Sequence, residues 1–386
     1  MPDLAKVFRD ALAAFHGKDL VRAERLFSRV LKVDPANVAA LNLITIVLMT
    51  MERFAEAERH VEKATSLNPN SDVSFYNYGL ICKRLNKPKR ALEQFNKALA
   101  LNSSVAETWN SRGAVYNELG EHKLAVGDFD RAISLNPAFA EAHSNRGNAL
   151  LMLKRRPDAI VAYDRALSLR PQLAGAWFGR GNALYDLNRY DEAFEAYDKA
   201  FRIEPELEDV EGVRLHTKMR LCNWDRLEEE VAHLTATIRA GRGSCGPFAL
   251  LSLSNSSGDH FRCAEAWVAR KCMPSPKPLW RRGDVVHGKI RLGYVSTDFR
   301  MHATAHLIAE LIELHDKKRF EVFGYSIGKD DQSNMRTRLT NAFDSFIDCE
   351  AQADSEIART IAETEIDILE HFHNWWNRRI PSAVAP

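Results

Sequence analysis

The sequence predicts a mostly α-helical chain: a right-handed solenoid of stacked helical hairpins, followed by a partial α/β segment with a Rossmann-like parallel sheet. Two observations carry that prediction. Pro137, Pro171 and Pro205 stand 34 residues apart, each closing a stretch with matching glycine, alanine and aromatic positions, and such a period marks helical hairpins that stack. From Lys289 onward, short apolar runs alternate with helical spacings, as in a parallel sheet with crossover helices.

Within the repeats, Gly113, Gly147 and Gly181 open the units, then come Ala125, Ala159 and Ala193, the rings Phe129, Tyr163 and Tyr197, and finally Ala132, Ala166 and Ala200. Small residues let two helix backbones approach, the ring is expected to fill the space between hairpins, and proline stops the second helix because it lacks an N–H. This pattern resembles the tetratricopeptide repeat. Weaker matches continue upstream: Gly79, Ala91, Phe95 and Ala98 with Ser103 as terminator; Ala57, Ala64 and Pro69; Ala23, Phe27 and Pro35. Six repeats are expected over residues 4–206. Stacked hairpins bury a continuous apolar face that one alone cannot, and they leave a concave inner surface.

Residues 207–288 read as a helical bridge and linker. Leu215, Met219, Leu227, Val231 and Leu234 keep a spacing of three and four, which predicts two helices that are a bridge and not a repeat. Gly241 to Gly246 reads as a loop, HFRCAEAWVARKC as a further helix, and three prolines mark a domain boundary near residues 273–288. In residues 289–370 the strands expected are Leu292–Val295, Phe320–Ser326, Phe346–Asp348 and one beginning over Ile366–Leu369; the helices are His306–His315, Asn334–Phe343 and Ser355–Glu363. The first strand runs into STDFRMHATAH instead of G-x-G-x-x-G, which argues against a dinucleotide site.

With 53 basic and 52 acidic side chains the formal charge is +1, so no electrostatic pull toward nucleic acid or an anionic membrane is expected. Six cysteines without a C-x-x-C pair argue against a disulfide framework or structural zinc. The charged, amphipathic start has no run suited to a signal peptide or membrane span. A cytoplasmic location is expected.

The α/β segment resembles the start of the catalytic region of the protein O-linked N-acetylglucosamine transferase family, on Gly293-Tyr294-Val295-Ser296-x-Asp298-Phe299, the nearby His302 and His306, and Phe320-Glu321-Val322-Phe323-x-Tyr325-Ser326 followed by Asp330-Asp331. The resemblance implies the first lobe of a two-lobed GT-B fold that moves the sugar from UDP-GlcNAc, the donor substrate, to Ser or Thr hydroxyls of proteins, with no separate cofactor. It also implies that His302 lies in the active site and that Asp298 stands beside it. Ala303 replaces the family's proline, and the tail over residues 371–386 diverges from the family pattern. The expectation is therefore an incomplete first lobe, without the lobe that binds UDP, and no transfer by this polypeptide alone. The alternative is a repeat scaffold for protein–protein interaction.

For individual residues two readings compete. His302 is either an active-site group or a loop histidine bonded to backbone; Asp298 orients a donor or His302, or caps the next helix. His302 and His306 stand four apart, but Ala303 takes the place of the glutamate that zinc proteases carry, so no metal is expected and His306 reads as a packing residue. In the family a ladder of asparagines two before the repeat glycine clamps peptide backbone. Asn77 and Asn145 occupy that position here, with Asn148 and Asn182 one turn on, and proteins or peptides bound in the concave groove are the expected partners. Arg112, Arg146 and Arg180 form a row that either receives acidic peptide or covers the neighbouring helix with solvated heads.

Overall fold

The structure, a computed structural model, describes residues 4–241, 245–271, 287–352 and 354–371. The expected boundary at residues 273–286 and the tail beyond residue 371 lie outside the described residues. The chain divides into two compact units, one ending at Cys263 and one beginning at Ala264.

The first unit opens with twelve helices in six antiparallel pairs: α1 (Leu4–His16) and α2 (Leu20–Val33), α3 (Val38–Thr50) and α4 (Phe54–Leu67), α5 (Asp72–Arg84) and α6 (Pro88–Leu101), α7 (Ala106–Glu118) and α8 (His122–Leu135), α9 (Ala140–Met152) and α10 (Arg156–Leu169), α11 (Ala174–Asp186) and α12 (Tyr190–Ile203). The joint inside a hairpin is a glycine on the first helix against a ring sixteen residues later on the second. A Cβ added at Gly79, Gly113, Gly147 or Gly181 would come within 2.5, 2.8, 2.7 or 2.5 Å of Phe95, Phe129, Tyr163 or Tyr197. The ring thus seats first on the glycine of its own hairpin, not only between hairpins. Tyr163 does both, because a Cβ at Gly179 in the next hairpin would also meet it, at 2.5 Å. In the first two hairpins the same pair of positions holds Ala11 with Phe27 and Thr45 with Val61, all fully buried. In the second hairpin the small partner has grown to threonine and the large one has shrunk to valine, which keeps the joint filled, as close packing requires.

The turn between paired helices is as regular as the sequence period. Lys18, Glu52, Asn86, Gly120, Lys154 and Asn188 all take positive φ, between 55° and 82°. A left-handed residue ends a helix and turns the chain back. The next member of that series is Cys222, with φ 52°. It lies between α13 (Val210–Arg220) and α14 (Leu227–Arg239), so the segment read as a bridge keeps the hairpin frame one step further. Its joint positions are Leu215 and Val231, which pack with Leu234, Ile238, Cys245, Leu250 and Cys263 in one apolar cluster together with α15 (Pro247–Leu253) and α16 (Ser257–Lys271). Leucine is too large to admit a ring opposite it, which is why the sequence motif disappears here while the backbone turn persists.

The second unit contains β1 (Ile290–Ser296), α17 (Ala303–Glu313), β2 (Phe320–Ser326), α18 (Asn334–Ala342), β3 (Ser345–Asp348), α19 (Asp354–Glu363) and β4 (Ile368–His371). The strands form one parallel sheet in the order β3-β2-β1-β4, with Ile290 opposite Phe320, Leu292 opposite Ile368 and Phe323 opposite Ser345. Both faces are covered, as parallel sheets require. Leu292, Tyr294 and Val322 pack on one side against Ile308 and Ile312 of α17 and Leu339 of α18; Val295, Phe323 and Tyr325 pack on the other against Ile357 and Ile361 of α19. The elements appear in the expected order with shifted ends. β4 starts two residues after Ile366, which instead buries its side chain ahead of the strand.

Candidate functional site

The residues singled out in the solenoid are engaged with one another. Asn77 is only 7% exposed and its side-chain nitrogen has no hydrogen-bond partner among the described residues, so it is a buried position, not the exposed groove residue expected from the sequence. Asn145 donates to Asn110 Oδ1 at 2.9 Å, linking the first helices of neighbouring hairpins, and Ser74 donates to Asn42 in the same way. Asn148 and Asn182 accept the phenol O–H groups of Tyr163 and Tyr197 at 2.7 and 2.8 Å, fixing the rings that fill the joints. Burial pushes both phenols well above their ordinary range.

The arginine heads are not left to solvent. Arg146 Nε donates to Asp130 and Arg180 Nε to Asp164, at 2.6 and 2.7 Å, each on the second helix of the preceding hairpin. Arg214 continues the row toward Asp198 at 3.4 Å and toward Glu230 at 2.9 Å. Arg112 faces Asn96 at the equivalent backward position and turns its fork forward to Asp128 of its own hairpin, at 2.6 and 2.7 Å. The row therefore ties hairpins together. Arg180 also borders a cleft of about 360 Å³ among α10, α11 and α12, where the Lys199 ammonium lies 4.4 Å from the centre of the Trp177 ring.

At the carboxyl end of β1 the structure brings Asp298 and His302 together, with 3.7 Å between Asp298 Oδ2 and His302 Nδ1. The connection that follows the neighbouring strand, β2, holds that segment. Gly328 lies so close under Thr297 that a Cβ would sit 1.9 Å from its carbonyl oxygen. Met301 N–H donates to Asp331 Oδ2 at 2.8 Å, which holds the Asp331 carboxyl below its ordinary range. Buried Arg336 of α18 donates to the Phe299 carbonyl at 3.2 Å, to the Ser326 hydroxyl and to Asp348 at 2.7 Å, so one guanidinium joins the loop after β1 to the carboxyl ends of β2 and β3. Phe299 anchors the loop below, 5.2 Å from Phe343 centre to centre.

The cap of α17 is His302 and not Asp298. His302 Nδ1 accepts the Thr304 N–H at 3.2 Å, whereas Asp298 is tied to its own loop, accepting from Thr297 Oγ1 and donating its N–H to Ser296 Oγ. A capping side chain accepts an N–H two or three residues after its own position, and Asp298 stands four residues before the cap, held in its own loop. His306 is exposed on α17, so it does not pack in the core as expected. Among the described residues, no group of three His, Cys, Asp or Glu is placed to hold a metal ion.

Hairpins keyed by glycine and ring, followed by a parallel sheet with a held loop at its carboxyl edge, define a tetratricopeptide-repeat protein joined to a Rossmann-like segment. Comparison with known proteins places both parts. Residues 106–139, 140–173 and 174–207 match the tetratricopeptide repeat profile, residues 276–376 match glycosyl transferase family 41, and residues 10–111 match the TT21 fifth ARM repeats domain. The chain is 30% identical over 102 residues to a probable UDP-N-acetylglucosamine–peptide N-acetylglucosaminyltransferase of Arabidopsis thaliana, covering 26% of this chain and 10% of that one. It is 35% identical over 88 residues to the corresponding enzyme of Caenorhabditis elegans, covering 22% and 8%. The matched stretch spans a tenth or less of these relatives. A solved tetratricopeptide repeat protein from Parabacteroides merdae superposes with a TM-score of 0.52 at 17% identity, covering 68% of this chain and 98% of that one. The type IV pilus biogenesis factor PilW does so at 0.50 and 22%, covering 55% and 99%. These two share the fold. Residues 106–207 are thus tetratricopeptide repeats, and residues 276–376 are similar to glycosyl transferase family 41.

Proposed function

We propose that the chain serves protein O-glycosylation: the solenoid captures a protein or peptide, and the carboxyl edge of the β-sheet presents His302 and Asp298 to a Ser or Thr hydroxyl and to UDP-GlcNAc, in the cytoplasm. The observation that carries the reading is the pairing of Asp298 with His302 on a held loop beyond β1, within the segment that matches family 41. Open parallel sheets bind ligands at that edge. A departing diphosphate needs donors that face it from more than one side, in a site shielded from water. The reading therefore expects no transfer by the 386-residue chain alone and clear transfer once a second lobe of the family is joined to it.

Transfer of labelled GlcNAc to a Ser/Thr peptide, measured for both proteins, tests this. His302→Ala in the joined protein should abolish most of the rate; an undiminished rate would remove His302 from the site. Transfer by the unjoined chain would overturn the need for the second lobe. For the solenoid, Asn145→Ala should weaken peptide capture, since it frees Asn110 from its partner and removes a donor from the inner helices. The alternative, a repeat scaffold without transfer, is favoured by one observation: His302 already has a structural task as helix cap. Absence of transfer in both proteins with peptide capture retained would select it.

A further inference from the structure

His302 faces two candidates for the same nitrogen. A backbone N–H can only donate, so the bond from Thr304 N to Nδ1, at 3.2 Å, requires a lone pair on Nδ1. The Asp298 carboxylate, 3.7 Å from that nitrogen, is beyond hydrogen-bond reach and would need a proton there instead. The neutral ring carries one proton, and with Nδ1 used as acceptor the proton is on Nε2. Nε2 has no partner among the described residues, and the side chain is 42% exposed at the sheet's carboxyl edge. A half-turn of the ring about Cβ–Cγ would put a carbon in the place of Nδ1 and lose the capping bond. Met301, the residue before it, is fixed by Asp331, and the His302 carbonyl accepts the His306 N–H, the first bond of the helix.

We propose that His302 meets a bound sugar nucleotide as a hydrogen-bond donor, through Nε2–H to one of its oxygens, and not as the base that takes a proton from the acceptor hydroxyl. Capping α17 sets the tautomer, and the tautomer sets the chemistry: the nitrogen open to a ligand already holds its proton. This rests on the reading of the sheet edge as a ligand site.

The tautomer can be read in the full chain without any ligand. In ¹⁵N-labelled protein at neutral pH, with His302 assigned by loss of its signals in His302→Asn, long-range proton–nitrogen correlations should show a protonated Nε2 and an unprotonated Nδ1. An Nδ1–H tautomer, a charged ring or a mixture of tautomers would each overturn the proposal. A second arm tests the cap. His302→Ala should lower the melting temperature of the full chain, and His302→Asn should restore it, because asparagine can accept the same backbone N–H; failure of asparagine to do better than alanine would count against the capping bond. Addition of UDP-GlcNAc to the labelled protein with the family's second lobe joined to it should then shift the Nε2–H signal. An unmoved signal from a correctly protonated ring would sink the sugar-nucleotide reading of the edge and so the donor role, while leaving the cap-imposed tautomer established.

Discussion

Gly181 in the solenoid and Gly328 in the α/β unit both stand where a Cβ has no room, yet their neighbours differ in kind. At Gly181 the obstacle is the Tyr197 ring, 2.5 Å away; at Gly328 it is the Thr297 carbonyl oxygen, 1.9 Å away. A side chain can be exchanged for a smaller one, and the solenoid does so, with Thr45 opposite Val61 in the second hairpin. A backbone carbonyl in the loop that carries Asp298 and His302 has no smaller substitute. The repeat array therefore tolerates variation in its joint, whereas the sheet edge hangs on contacts made once.

The largest effect should come from Gly328→Ala. Its Cβ can be admitted only by moving one loop or the other, at an expected cost of about 3 kcal/mol or more, seen as rapid proteolysis within residues 287–371 while the helical signal of the solenoid persists. Persistence of the folded sheet would show that the two loops part readily. Gly181→Ala should cost about 1–3 kcal/mol by overpacking against the ring, and the further change Tyr197→Leu should recover part of it in thermal unfolding. Additive losses would contradict the exchangeable joint. As a control, Gly127 on α8 has open space around its Cβ position, so Gly127→Ala should stabilise by roughly 0.5–1 kcal/mol.

The ion pairs sharpen the same contrast within the solenoid. Asp128 is nearly buried beneath the Arg112 fork, so Asp128→Ala should cost about 2–3 kcal/mol by leaving a half-buried guanidinium short of its partner. Asp130 is more than half exposed opposite Arg146, and Asp130→Ala should cost less than about 1 kcal/mol. Equal losses in urea unfolding would mean that burial does not rank these pairs.

The smallest effect concerns pH. Burial, with a lesser push from Arg220, lowers the pKa of His216, which bonds Ser252 and Tyr185. A depressed folded-state pKa gives stability that is present above about pH 6.5 and is lost as pH falls through the folded value. The urea midpoint should fall on acidification below that point, and His216→Gln should flatten the fall. An unchanged slope would place the acid sensitivity elsewhere.

Much of the fold was legible because its rules are local. The period of prolines and glycines marked the hairpins, and the switch to short apolar runs marked the sheet. The seventh hairpin was missed because Leu215 and Val231 replace the glycine and ring, although Arg214, 34 residues after Arg180, carried the signal. The arginine row was visible, but its partners were not: they lie sixteen residues away, backward for Arg146 and Arg180 and forward for Arg112. Burial of Asn77 was equally hidden, since its neighbours come from other helices.

By itself, the sequence determined where the chain turns, which faces are apolar and the order of strands and helices, because periodicity and residue size act over a few positions. Only the tertiary structure decided that Lys18, Glu52, Lys154 and Cys222, none of them a residue that favours left-handed backbone, adopt it at every hairpin turn. Packing of the paired helices outweighs the local cost there. Only it decided, too, that His302 caps α17 while Asp298 does not. That choice follows from where Gly328, Asp331 and Arg336 hold the loop, and these residues come from the next strand's connection, about thirty positions away, where short-range pattern carries no information.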